Sequence, residues 1–92
     1  MEEKFSIGDV VFSKMGRDSG RHYIVVATEE NFVYICDGDL HKSDKPKKKK
    51  NKHIKPVGKR NEYIIAKLSE EGRVTNNELR RAIAEVEEEI NS

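Results

Sequence analysis

Between Gly58 and Asn61 the chain changes its chemistry, and this change limits it to a β-rich unit followed by helices. Before it, β-branched and aromatic residues come in short runs broken by Gly, Asp and Asn. After it, apolar residues recur every three or four positions. Ile7 to Met15 reads as a first strand, opening at Gly8 and Asp9. Gly16 to Gly20 is a tight loop: its glycines permit positive φ, and Asp18 and Ser19 can hydrogen-bond nearby backbone. Tyr23 to Thr28 is a second strand whose unbroken apolar run predicts burial on both faces. Glu29, Glu30 and Asn31 connect it to a third strand, Phe32 to Cys36. Asp37, Gly38 and Asp39 form a turn, Leu40 to Lys42 a short fourth strand, and His53 to Val57 a fifth. Pro56 lacks an N–H and suits an edge. About five strands are thus expected over residues 6–57.

Helix signals follow. Asn61 is a candidate N-cap, Glu62 suits the positive end of a helix dipole, and Gly72 is a natural stop, so a helix is predicted over 62–71. Its apolar stripe is Ile64, Ile65 and Leu68. Thr75 and Glu78 form a capping box, with Val74 and Leu79 placed as a hydrophobic staple, which predicts a second helix over 76–90. Leu79, Ile83, Val86 and Ile90 share one face of it, while Arg80, Arg81, Glu85, Glu88 and Glu89 lie opposite. The organisation is therefore a β unit over 1–58 and a helical hairpin over 61–92.

Charge is as unevenly distributed as shape. The chain has 92 residues, 38% of them charged, and a net charge of only +1. Residues 42–60 nevertheless hold ten basic side chains against one acid, Asp44, while residues 1–40 and 61–92 each carry net −4. Such polarity points to a polyanion site that is kept local. Residues 44–52, with four adjacent lysines and no apolar anchor, are expected to be a mobile loop. Lysines make point contacts with phosphates without reading sequence. Arg17 and Arg21, bracketing the first loop, can fork onto a phosphate or stack on a base, or can close an internal Arg–Asp pair. Tyr23, Phe32 and Tyr34 could stack on bases but read better as core, with Tyr34 the candidate for exposure.

Other classes find no support. No phosphate-binding glycine loop, metalloprotease helix or nucleophile elbow is present, so no enzyme, cofactor or small-molecule substrate is expected. His22, His41, His53 and Cys36 match no metal-ligand spacing. No apolar run is long enough to span a membrane, and Met1 to Phe5 is no secretion signal. The lone Cys36 has no internal disulfide partner, fits a reducing cytoplasm and reads as a small apolar strand residue.

Gly8, Asp9, Val10, Val11, Phe12, Ser13, Lys14, Met15 and Gly16, continuing through Arg17, Asp18, Ser19, Gly20 and Arg21, resemble a KOW motif. Val25, Val26 and the segment Val33 to Gly38 continue the likeness. So do Lys45, Pro46 and Lys47, and Lys50 to His53. Over residues 6–57 the chain is similar to small bacterial KOW-domain proteins that resemble a KOW-type ribosomal protein of the archaeal and eukaryotic large subunit. The resemblance implies a mainly β fold, a small SH3-like barrel here extended by the helical hairpin. It also implies RNA or ribosome binding in the cytoplasm, with ribosomal RNA and ribosomal proteins as partners. The candidate RNA contacts are Lys14, Arg17 and Arg21 in the first loop. In the second they are Lys42, Lys45, Lys47, Lys48, Lys49, Lys50, Lys52, His53 and Lys55. A different class stays open: a protein adaptor docking through the Leu79, Ile83, Val86 and Ile90 stripe, although packing of that stripe within the chain, on the barrel or on the matching Ile64, Ile65 and Leu68 face, is the preferred reading.

Overall fold

Five strands precede two helices in the computed structural model, which describes residues 4–91. The strands are β1 (Asp9–Ser13), β2 (His22–Thr28), β3 (Phe32–Cys36), β4 (Lys47–Lys50) and β5 (Ile54–Arg60). A 3-10 turn, Asn51–His53, joins the last two. All neighbours pair antiparallel in one sheet of order β4-β3-β2-β1-β5. The helices are α1 (Glu62–Glu71) and α2 (Asn76–Asn91). None of the helices described is long and apolar enough to cross a membrane.

Two expectations for the strands are corrected. Leu40 to Lys42 is not a strand; Asp37 organises that segment as a turn, its carboxylate accepting from the backbone of Asp39 and His41 at 3.0 and 2.9 Å. The fourth strand lies instead in the lysine run, which was expected to be a loop. Lysine is a poor strand former, but the partner decides here. β3 offers a free edge, and Val33 and Tyr34 stand directly opposite Lys49 and Lys48.

Strand alternation builds two apolar clusters from one sheet. Val11, Tyr23, Val25, Val33 and Ile35 point to one face, where Phe5 and Ile54 join them. Val10, Ile24 and Cys36 point to the other, where they meet Ile64, Val74, Leu79, Ala82, Ile83 and Val86. Burial of β2 on both faces follows from this sandwiching. Cys36 is fully buried, and burial pushes its thiol up to about 12, so it behaves as an inert strand residue.

Both helices begin as their sequence dictates. Asn61 Oδ1 accepts from the Ile64 N–H at 2.9 Å, and Gly72 ends α1 at φ 75°. At α2 the Glu78 N–H donates to Thr75 Oγ1 at 3.1 Å, and the Thr75 N–H donates to Glu78 Oε1 at 2.8 Å. The Tyr63 hydroxyl also donates to Glu78 and, with Thr75, draws that carboxyl down to about 2. Because the folded value is lowered, this contribution is complete above the ordinary carboxylate range and fades as pH falls through the folded value. Thr75→Ala is expected to destabilise the protein by about 1 kcal/mol, read as a lower urea midpoint at unchanged slope. A midpoint equal to wild type would mean that the box does not contribute.

Candidate nucleic-acid interface

The lysine strand divides by strand parity. Lys48 and Lys50 lie opposite Tyr34 and Phe32, while Lys47 and Lys49 lie opposite the inward-facing Ile35 and Val33, and of these two lysines only Lys49 is buried. The Lys48 ammonium stands 4.4 Å from the Phe32 ring centroid and 5.9 Å from that of Tyr34, and pairs with Glu29 at 3.5 Å. Tyr34, half-buried, donates its hydroxyl to the same Glu29.

Lys49 has another role. It is only 8% exposed, and its ammonium donates to Asp18 Oδ1 at 2.8 Å and to the Met15 carbonyl at 2.6 Å. Asp18 is 4% exposed. Its carboxylate also accepts from Ser13 Oγ at 3.1 Å and lies 3.1 Å from His41 Nε2. Burial pushes that carboxyl up, but the hydrogen bonds from Lys49, His41 and Ser13 together outweigh burial and hold it below its ordinary value. Tyr23, fully buried, donates its hydroxyl to the Asp18 carbonyl at 3.0 Å, and burial drives its own ionisation up to about 12. The first loop is thereby pinned against β4. Lys49 is a structural cation, withdrawn from the surface by the fold.

The pinned loop places basic side chains from distant parts of the chain together. The Lys14 N–H donates to the His53 carbonyl at 2.9 Å, so the end of β1 meets the 3-10 turn. The His53 ring titrates below its ordinary value, through partial burial and then the positive charges of Lys49, Lys52, Lys50 and Lys14. Lys55 sits across the sheet from Phe12, two residues beyond the turn. Arg17 is exposed on the loop itself. Among the described residues, Lys14, Arg17, Lys50, Lys52 and Lys55 make no ion pair.

Other candidates are placed differently. Arg21 forks onto Asp37 at 3.2 Å and Asp39 at 2.8 Å, so the internal Arg–Asp pair exists, but with the β3–β4 turn and not with Asp18. Lys42 and Lys45 are exposed on the loop that Ser43 ties to Asn76 at the start of α2, through a 2.7 Å hydrogen bond. Lys47 is exposed at the start of β4. Of the helix stripe, Leu79, Ile83 and Val86 are buried against the sheet, which removes them as a docking face; only Ile90, 46% exposed, remains outside. Lys59 and His22 are matched by acids of α2, Glu89 at 3.0 Å and Glu87 at 2.9 Å.

Sequence reasoning missed the Asp18–Lys49 pair, whose partners are far apart in the chain, and missed Phe32 as the ring beneath a lysine. Only the alternation of Phe32 and Tyr34 about Val33 could have signalled the second. Comparison with family models and with curated proteins gives no match for this chain.

Proposed function

We propose that this protein binds RNA, holding its phosphate backbone on the surface formed by Lys14, Arg17, Lys50, Lys52, His53 and Lys55. The observation that carries the reading is their convergence. Two segments more than thirty residues apart meet through the Lys14–His53 backbone bond, and their lysines have no acidic partner among the described residues. Unneutralised charge gathered in one place attracts a polyanion and releases counterions when one binds. Lysine selects backbone and shape over base identity, which suits a structured RNA such as the ribosomal RNA implied by the KOW resemblance.

An SH3-like barrel belongs to the same proposal. β4 and β5 are the two edges of the sheet, and in a flat sheet they would lie about 19 Å apart, at about 4.8 Å per strand. The three residues of a 3-10 turn rise about 2 Å each, too short to bridge that distance, which supports a sheet curled back on itself. Such a curl also accounts for the inner cluster of Phe5, Val11, Tyr23, Val25, Val33, Ile35 and Ile54, which the helices do not cover.

The test is RNA affinity across a salt series. Lys50→Ala with Lys52→Ala is expected to lower the magnitude of the salt slope by about 1.4 for a single strand, close to 0.7 per lost contact. Affinity should drop similarly for all sequences. An undiminished slope would reduce these lysines to a solubilising surface and overturn the proposal.

A further inference from the structure

Where α2 ends, the helix-covered face of the sheet comes into the open. Val10 and Ile24 lie beneath Ile83 and Val86. Phe12, two residues beyond Val10 on the same face, is only half-buried. A groove of about 670 Å³ opens beside it, lined by Phe12, His22, Val57 and Ile90 together with Pro56. The Phe12 and His22 rings meet edge to face, with centroids 5.3 Å apart. Lys14 and Lys55 stand at its margin.

We propose that this groove takes an unstacked base of single-stranded RNA, its flanking phosphates on Lys14 and Lys55. The inference rests on the RNA-binding reading and extends it from backbone to base. The floor is aromatic and apolar, as a base needs in order to leave water. The exposed lysines that line it are cationic, and neither has an acidic partner among the described residues, so an uncharged apolar peptide would leave both charges unanswered. The groove also runs into the phosphate surface: Lys14 is bonded through its backbone to His53, and Lys55 follows His53 by two residues. A volume in the few-hundred Å³ range is the size of small-ligand sites in general. Base stacking is tolerant of sequence, so this site would recognise an unpaired nucleotide and not a particular base.

The experiment compares a short oligoadenylate with an abasic oligomer of equal phosphate number, using the full chain and reading affinity and aromatic ring resonances. The intact oligomer is expected to bind about 5- to 150-fold more tightly for one stacked base. It should shift the Phe12 and His22 rings upfield, which the abasic oligomer should not do. Phe12→Leu, with an unchanged melting temperature, should bring the intact oligomer to the abasic affinity at the same salt slope. Equal binding of both oligomers by the wild type would overturn the groove while leaving the RNA reading intact. Binding of neither would overturn both. A base-dependent gain that moves Phe32 and Tyr34 instead of Phe12 and His22 would place the base on β3 and overturn this assignment. So would ring shifts produced by an apolar peptide and not by the oligomer.

Discussion

Asp18→Ala is expected to lower stability by about 3–5 kcal/mol, because it leaves the buried Lys49 ammonium without its counter-charge. For a domain of this size that is a large share of the usual 5–15 kcal/mol. The variant also removes one of the two acceptors near the Ser13 hydroxyl and the neighbour of His41, so three polar groups lose a partner at once. Changing both ends of the pair, Asp18→Ala with Lys49→Met, should recover much of the loss, since an apolar replacement leaves no charge to desolvate. Urea unfolding of wild type, single and double variants measures this. If the single variant loses less than 1 kcal/mol, the pair is not the anchor described above. The pH dependence has a definite sign. In the fold the Asp18 carboxyl titrates below its ordinary 3.8, so its contribution is complete above that value and is lost as pH falls through the folded value. Wild type should therefore lose more stability between neutral pH and acid than Asp18→Ala does. The loop pinned by Asp18 carries Arg17 and begins beside the 3-10 turn, where the Lys14 N–H meets the His53 carbonyl, so on the RNA-binding proposal affinity for RNA should fall with the same substitution.

Gly38→Ala is the second large effect, at about 2–5 kcal/mol from left-handed backbone and overpacking together. Gly38 has φ +79°, and a Cβ there would stand 2.9 Å from the carbonyl carbon of Asn76 and closer still to its oxygen. The obstacle is backbone at the first residue of α2, which has no rotamer to give. The same turn accepts from Arg80, whose guanidinium donates to the Gly38 carbonyl at 2.6 Å, so displacing it loosens the helix from the sheet. Gly20→Ala is the control. Gly20 has φ +82° with nothing near its missing Cβ, so that variant should show the conformational effect alone, about 1–2 kcal/mol. Equal losses for the two would mean that close approach to α2 contributes nothing.

These two predictions rest on contacts that the sequence does not announce, whereas much of the frame is legible in it. Both helix starts were readable to the residue. An N-cap or a capping box bonds atoms three residues apart, so the pattern holds all its own partners. The third strand was readable for a related reason, being a dense β-forming run between turn residues. Two short-range signals misled. Leu40 to Lys42 looks like a strand, but Asp37 folds its backbone into a turn first. The four lysines look like a loop, because like charges repel and lysine is a poor strand former.

The sequence by itself determined a β unit followed by two capped helices, and a charge imbalance strong enough to point to a polyanion. Tertiary structure alone decided what each charge does. Pairing with β3 turned the lysine run into an edge strand, and strand parity then sent Lys49 inward to Asp18 and left Lys48 over Phe32 and Tyr34. The helix stripe was legible, and so was its packing within the chain, but not how the cover is shared: Ile64 of α1 joins Val10, Ile24 and Cys36 of the sheet against it. The physical reason is range. Caps and periodicity are satisfied within one or two turns of chain, whereas a buried ion pair or a shared core face depends on which distant backbone arrives beside it, and no local pattern encodes that arrival.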